Sequence, residues 1–240
     1  MSKPFKIKHL AKVALLILSH LGTGCFIASA ESPPKDPVLK IEALNKVREL
    51  SEQTLEEIKR LSPQLRMTKR IDRIGPALLL KMNIPLNGDT IEDQAHDFIS
   101  RFSNLWGRLQ VTIEKIEQRR DRSIVHLIGK VDGILLKNQQ SKLTIKNGQA
   151  QHLSNGLGAL VDYIPSRITE AEAIKSAEKD LSGQVTKLLS IKNLAVSYEP
   201  GRAHQVFELR FSKKESFSTL VVLVDGRDGA VLNVTKGEVK

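Results

Sequence analysis

Two stretches of this chain close in the same way, and that repetition limits the folds open to it. Leu143-Thr-Ile-Lys-Asn-Gly-Gln-Ala-Gln-His-Leu153 and Leu223-Val-Asp-Gly-Arg-Asp-Gly-Ala-Val-Leu232 each place an Asx-Gly turn between two apolar segments. Such a turn needs positive φ at its centre, which Asn, Asp and Gly tolerate, so each stretch reads as a β-hairpin. In the later copy the unbroken run Leu220 to Val224 suits a strand covered on both faces, and two glycines between Asp225 and Gly229 exclude a helix. A hairpin alone is marginal in water, so each needs a second layer.

That layer is legible upstream of both. Thr90, with Asp93 three residues on, caps a helix whose buried stripe is Ile91, Ala95, Phe98, Phe102 and Leu105, closed by Trp106-Gly107. Aromatics at this spacing are assigned to packing. Thr169-Glu-Ala-Glu172 is a second capping box, with Ile168 placed to staple against Ala173, and Ala173, Ile174, Ala177 and Leu181 give a narrow small-residue face. Strands are expected at Ala77 to Leu80, Leu109 to Ile116, Ser123 to Val131 and from Leu135 onward in the first copy. In the second they fall at Leu194 to Tyr198, His204 to Phe211 and the terminal hairpin. Ser154 to Ser166, with Gly156, Gly158 and Pro165, reads as a linker. The expectation is an α+β chain: an N-terminal helix followed by two helix-on-antiparallel-sheet domains in tandem.

Ahead of these lie two further segments. Lys3, Lys6, Lys8 and Lys12, the apolar stretch from Val13 towards Ile27, and Ala28-Ser-Ala30 have the order of a secretory signal peptide over residues 1–30. Ser19-His20 and Gly22-Thr-Gly24 interrupt the apolar run short of the roughly 20 residues of a membrane span. A lipoprotein signal is the alternative at Cys25, although Gly22 stands where a bulky aliphatic is expected. Within 31–65, Asp36-Pro37 opens an amphipathic helix through Ile41, Leu44, Val47, Leu55, Ile58 and Leu61, stopped by Ser62-Pro63. This helix either docks on the domain C-terminal to it, the preferred reading, or pairs with another protein.

Cleavage would remove the only cysteine, leaving no disulfide, thiolate nucleophile or cysteine metal site. Without the four lysines the net charge of +10 falls by four, to +6. Arg119-Arg-Asp-Arg122 is the local basic cluster. It reads first as a solvated hairpin turn and second as a contact for anionic lipid or an acidic partner. With no aromatic interleaving, nucleic acid is not an expected partner.

Catalytic signatures are missing. The histidines His9, His20, His96, His126, His152 and His204 are dispersed, with no H-E-x-x-H, and His96 falls off the apolar stripe. No G-x-S-x-G elbow occurs, and Gly156-Leu-Gly158 lacks the strand-to-helix context of a phosphate loop. Glu56-Glu57 and the pair Asp225 and Asp228 are expected on exposed surface, where no burial would raise a pKa. The expectation is a binder rather than an enzyme, with no catalytic, cofactor-binding or metal residues and no cofactor.

Ile168-Thr-Glu-Ala-Glu-Ala173 and Val222 to Leu232 resemble the opening helix and closing hairpin of a PepSY domain, placed at 165–240. Gly133-Ile134, as a central strand, and the hairpin Leu143 to Gln149 resemble the fungalysin/thermolysin propeptide (FTP) domain, placed at 66–157. Gly129 and Leu135-Leu136 stand where that family carries a glutamine and a Pro-Val. The resemblance implies the pro-segment of a secreted zinc endopeptidase, here without a protease domain after Lys240. The implied function is an exported, periplasmic or secreted inhibitor or folding chaperone that binds a thermolysin-like metalloprotease in trans through the sheet faces. No stable membrane insertion is implied after signal cleavage. The tail Thr235-Lys-Gly-Glu-Val-Lys240 either lies substrate-like in a protease cleft or frays. The alternatives are a periplasmic or surface adaptor binding peptide or envelope components by its sheet edges, or a relic of a protease precursor.

Overall fold

The fold is seen in a computed structural model that describes residues 45, 49, 52–72, 75–199, 201–214 and 218–237. The expected signal peptide, the start of the Asp36 helix and the end of the tail from Glu238 lie outside these residues. The described residues form twelve strands: β1 (Arg66–Asp72), β2 (Gly75–Pro85), β3 (Gln110–Gln118), β4 (Ser123–Val131), β5 (Ile134–Leu136), β6 (Ser141–Lys146), β7 (Gln149–Asn155), β8 (Asp162–Ile164), β9 (Val185–Glu199), β10 (Arg202–Lys213), β11 (Thr219–Asp225) and β12 (Val231–Gly237). Helices are α1 (52–61), α2 (Ile91–Arg101) and α3 (Glu170–Leu181).

The strands form one mixed sheet in the order β1-β2-β7-β6-β4-β5-β9-β10-β11-β12, with β3 on β4 and β8 on β10. This overturns the expected tandem of separate helix-on-sheet domains. The short strand β5 pairs in parallel with the middle of β9, Leu135 opposite Leu194 and Leu136 opposite Ala195, and carries the sheet across the chain's midpoint. Parallel pairing between strands some sixty positions apart leaves no local sequence mark, and the chain is α+β only in the broad sense. Two cores are present among the described residues. One gathers Phe98, Phe102, Trp106, Leu127, Leu143 and Leu153 under α2 and also takes in Ala195 of β9 and Ala203 of β10. The other gathers Phe207, Leu209, Phe211, Val222 and Val224 under Ala173, Ala177 and Leu181 of α3.

Local chemistry explains the elements. Both helices start at reciprocal capping boxes, Thr90 with Asp93 and Thr169 with Glu172. A cap of this kind is worth about 1 kcal/mol. α2 ends at Arg101, and a 3-10 turn, Ser103–Leu105, carries the chain to Trp106. Ile58 of α1 is fully buried in the first core with Leu55 packed beside it, so this part of the helix docks within the chain. Asn147 and Gly148 take φ of 50° and 70°, as their hairpin turn requires.

Other expectations need correction. β11 buries Leu220, Val222 and Val224 but leaves Val221 and Leu223 half-exposed, so the run is covered fully on one face only. The expected linker holds β8 and the buried side chains of Leu157, Ala159 and Leu160. Asp132 and Gly133, with φ of 50° and 79°, form the turn between β4 and β5 rather than a central strand. Thr235 to Gly237 belong to β12 and pair with β11, so this part of the tail is neither frayed nor free for a cleft.

Candidate functional site

The sheet in the first half has one helix-covered face and one face on which no described helix lies. Strand register sets the contents of the open face. One row runs Arg66, Lys81, His152, Thr144, Ile124, Glu117 across β1, β2, β7, β6, β4 and β3. The next runs Thr68, Leu79, Ser154, Lys142, His126, Lys115 over the same strands. Strand spacing makes each row about 24 Å long. Alternation drives this: Leu80, Leu153, Leu143, Val125 and Leu127 fill the core between these positions, so their neighbours must point the other way.

Arg66, Thr68, Lys81, Ser154, Lys142 and Lys115 are exposed. Glu117 is the rows' one carboxylate. Hydrogen bonds from Lys115, at 2.8 Å, and Arg119, at 3.0 Å, hold its carboxyl down to about 2. It stays ionised and occupied by its own neighbours. His126, buried beneath the row, brings Nε2 to 3.1 Å from the same carboxylate. At the rim, Lys146 and Arg122 pair with Asp121 and lower its pKa, the Lys146 hydrogen bond acting most strongly. His152 is pushed down by burial first and by Lys81 and Arg122 next. The surface has a positive field with four fixed cations in two rows. The Arg119 to Arg122 cluster is the β3–β4 turn at its edge.

A second polar cluster closes the other half. Arg227 forks onto Asp225, with Nη2 to Oδ2 at 2.5 Å and Nε to Oδ1 at 3.0 Å. Asp225 is 1% exposed, which corrects the expectation that it sits on open surface; Asp228 is exposed. Burial is the largest influence on Asp225 and raises its pKa, but Arg227 and His204 together pull it below the usual carboxylate range. The His204 ring, 4% exposed, lies 5.0 Å from the Tyr198 ring, and Nε2 is 3.5 Å from Asp225 Oδ2. Gly226 locks this loop in place: its N–H donates to Gln205 O, and its carbonyl accepts from Ser166 Oγ and from the N–H groups of Arg167 and Ile168. A Cβ at Gly226 would stand 2.7 Å from Gln205 O. The cluster therefore ties the closing hairpin to the start of α3; Asp225 and Arg227 are spent on each other, while neither ring nitrogen of His204 makes a hydrogen bond among the described residues.

The remaining candidates stay apart. His96 is exposed on α2, and Glu56 and Glu57 are exposed on α1. Among the described residues no three His, Asp or Glu side chains gather as metal ligands would. Among them, too, no helix is long and apolar enough to cross a membrane. The open basic face is not legible in the sequence because its cations lie on four different strands and come together only through register. The alternation of Lys142, Thr144 and Lys146 with Leu143 and Ile145 was the signal available.

No protein-family model matches the chain, and no curated protein matches it. Among solved structures it is similar to the Bacillus megaterium YpeB C-terminal domain, at 11% identity over 80% of this chain and 97% of that one, with a TM-score of 0.33. It is also similar to an uncharacterized protein from Eubacterium rectale, at 10% identity over 80% and 82% of the two chains, with a TM-score of 0.33. Likenesses this distant assign neither partner nor activity. The propeptide-like and PepSY-like readings of the two halves rest on the residues that suggested them.

Proposed function

We propose that this chain is a non-catalytic binding protein that holds a protein partner on the open sheet face of its first half. The observation that carries the reading is the pair of register-aligned rows from Arg66 to Glu117 and from Thr68 to Lys115, a broad face with no described helix on it and exposed cations along it. A solvated sheet face is ordinary, but one that concentrates a single sign of charge is suited to recognition. The specific form favoured by the closing hairpin, Val222 to Leu232, is an exported inhibitor or folding chaperone acting in trans on a thermolysin-like zinc metalloprotease. The continuous sheet removes the support that two independent modules gave that form, and the hairpin residues are what remains in its favour.

The test uses the purified full chain immobilised as bait in culture fluid and envelope extract, with bound proteins identified, beside an assay of a thermolysin-like protease at micromolar chain. Retention of one protein at near-stoichiometric yield supports binding, and slowed proteolysis or improved protease refolding supports the specific form. Retention of nothing, with the protease unaffected, overturns both.

A further inference from the structure

We propose that the occupant of the open face is an acidic protein surface, a patch of Asp and Glu side chains set against Lys81, Lys142, Lys115 and Arg66. This rests on the reading that the chain binds a protein there and adds the chemistry that selects it. Of the four cations in the rows, Lys115 is spent with Arg119 on Glu117, and Arg66, Lys81 and Lys142 face no carboxylate within the rows. Complementarity therefore demands negative charge on the other side. The cations lie on four of the six strands and spread over about 24 Å. Three of the four are lysines, compact point charges, interleaved with the hydroxyls of Thr68, Thr144 and Ser154. That mixture can donate to scattered single carboxylates. Neither row carries a Phe, Tyr or Trp side chain on which a base could stack. The apolar members, Leu79 and Ile124, are half-buried between charged neighbours, leaving nothing to insert into a bilayer.

The experiment measures binding of the full chain to fluorescent poly-L-glutamate by anisotropy, at low and high salt. Polyphosphate and mixed phosphatidylcholine–phosphatidylglycerol vesicles form the parallel arms. Variants are Lys81→Glu with Lys142→Glu, the milder Lys81→Gln with Lys142→Gln, and Lys175→Glu with Lys179→Glu on α3 as a control; circular dichroism melts show that each is folded. The expected result is polyglutamate binding that weakens with salt, falls roughly tenfold or more in the charge-reversed pair, falls part of the way in the glutamine pair and is unchanged in the control. Equal binding by wild type and the reversed pair, no binding, or a preference for polyphosphate or vesicles overturns the inference. If polyglutamate fails while the chain still retains a protein from culture fluid or extract, the acidic occupant falls and the binding reading stands. If no protein is retained, the binding reading itself falls.

Discussion

Lys137, just past β5, forms an ion pair with Glu208 in the middle of β10, Nζ to Oε2 at 2.5 Å, with side chains only 18% and 12% exposed. The contact spans 71 positions and joins the two halves beside the parallel β5–β9 step. Next to it Lys137 N–H donates to Ala195 O at 2.8 Å. A pair this enclosed matters less for its own strength than for what is left when one partner goes. Lys137→Met should cost about 1–3 kcal/mol by leaving the enclosed Glu208 carboxylate to the longer Arg210 contact at 3.8 Å, whereas Lys137→Met with Glu208→Leu should recover most of that. Urea unfolding of the three chains checks it, and equal losses in single and double variants would show that the pair does not bridge the halves.

Trp106 Nε1–H donates to Asn155 Oδ1 at 3.0 Å, and Ser141 Oγ–H donates to the same oxygen at 2.7 Å. Ser141 Oγ also accepts from Leu157 N–H. Replacement Asn155→Ala leaves two buried donors without an acceptor and should destabilise the chain by roughly 2 kcal/mol. The Trp106 fluorescence should follow the same transition. An unfolding midpoint unchanged from wild type would contradict this network.

His204 lies against Tyr198 and Asp225; Arg227 and Asp228 act on its charge, and Arg202, paired with Asp162, and Arg227 both sit over the Tyr198 ring. Burial is the largest influence and lowers the imidazole pKa; Asp225 opposes it and Arg227 adds to it. A folded pKa below the unfolded value of about 6.5 means that the unfolded chain binds the extra proton. The contribution to stability is therefore full above that value and is lost as pH falls towards the folded pKa. Asp225, also lowered, loses its contribution further into acid, as pH falls through its depressed value. Melting temperatures should drop on acidification from neutral pH, and His204→Leu should flatten the first part of that drop. An equally steep drop in the variant would assign the effect to other groups.

Thr169→Ala removes the side-chain acceptor for Glu172 N–H at the start of α3 and the hydroxyl that donates to the Glu172 carboxylate, while the backbone N–H of position 169 still donates to that carboxylate. The cost should be about 1 kcal/mol. The pKa of Glu172, held below the ordinary range first by the Thr169 backbone and then by its side chain, should rise part of the way in the variant, which loses only the side-chain bond. Carboxyl titration by NMR reads the shift directly, and no movement of Glu172 would rule out the reciprocal cap.

The parts legible in the sequence were those whose signals are local. Thr90 with Asp93, Thr169 with Glu172, and Asn147-Gly148 each specify a cap or turn within four residues, and each stands where the sequence puts it. β1 was missed because Arg66-Met-Thr-Lys-Arg-Ile-Asp72 is a charged edge strand without clean alternation. The front of β9 was missed because register shifts against β10, between Arg210 and Phe211 and between Ser212 and Lys213, break the two-residue period. The continuous sheet was missed because the β5–β9 pairing couples distant residues. Asp225 was misplaced for a related reason: the sequence shows an Asp/Gly loop, but not that Tyr198, His204 and Arg227 close over it.

Lysine acetylation of the chain with and without its retained protein partner, read residue by residue by mass spectrometry, tests the central claim most directly. The account predicts protection of Lys81, Lys115 and Lys142 in the complex, with Lys175 and Lys179 on α3 labelled as in the free chain. Protection confined to α3 or to Lys236 on β12, with Lys81 and Lys142 still fully labelled, would contradict it.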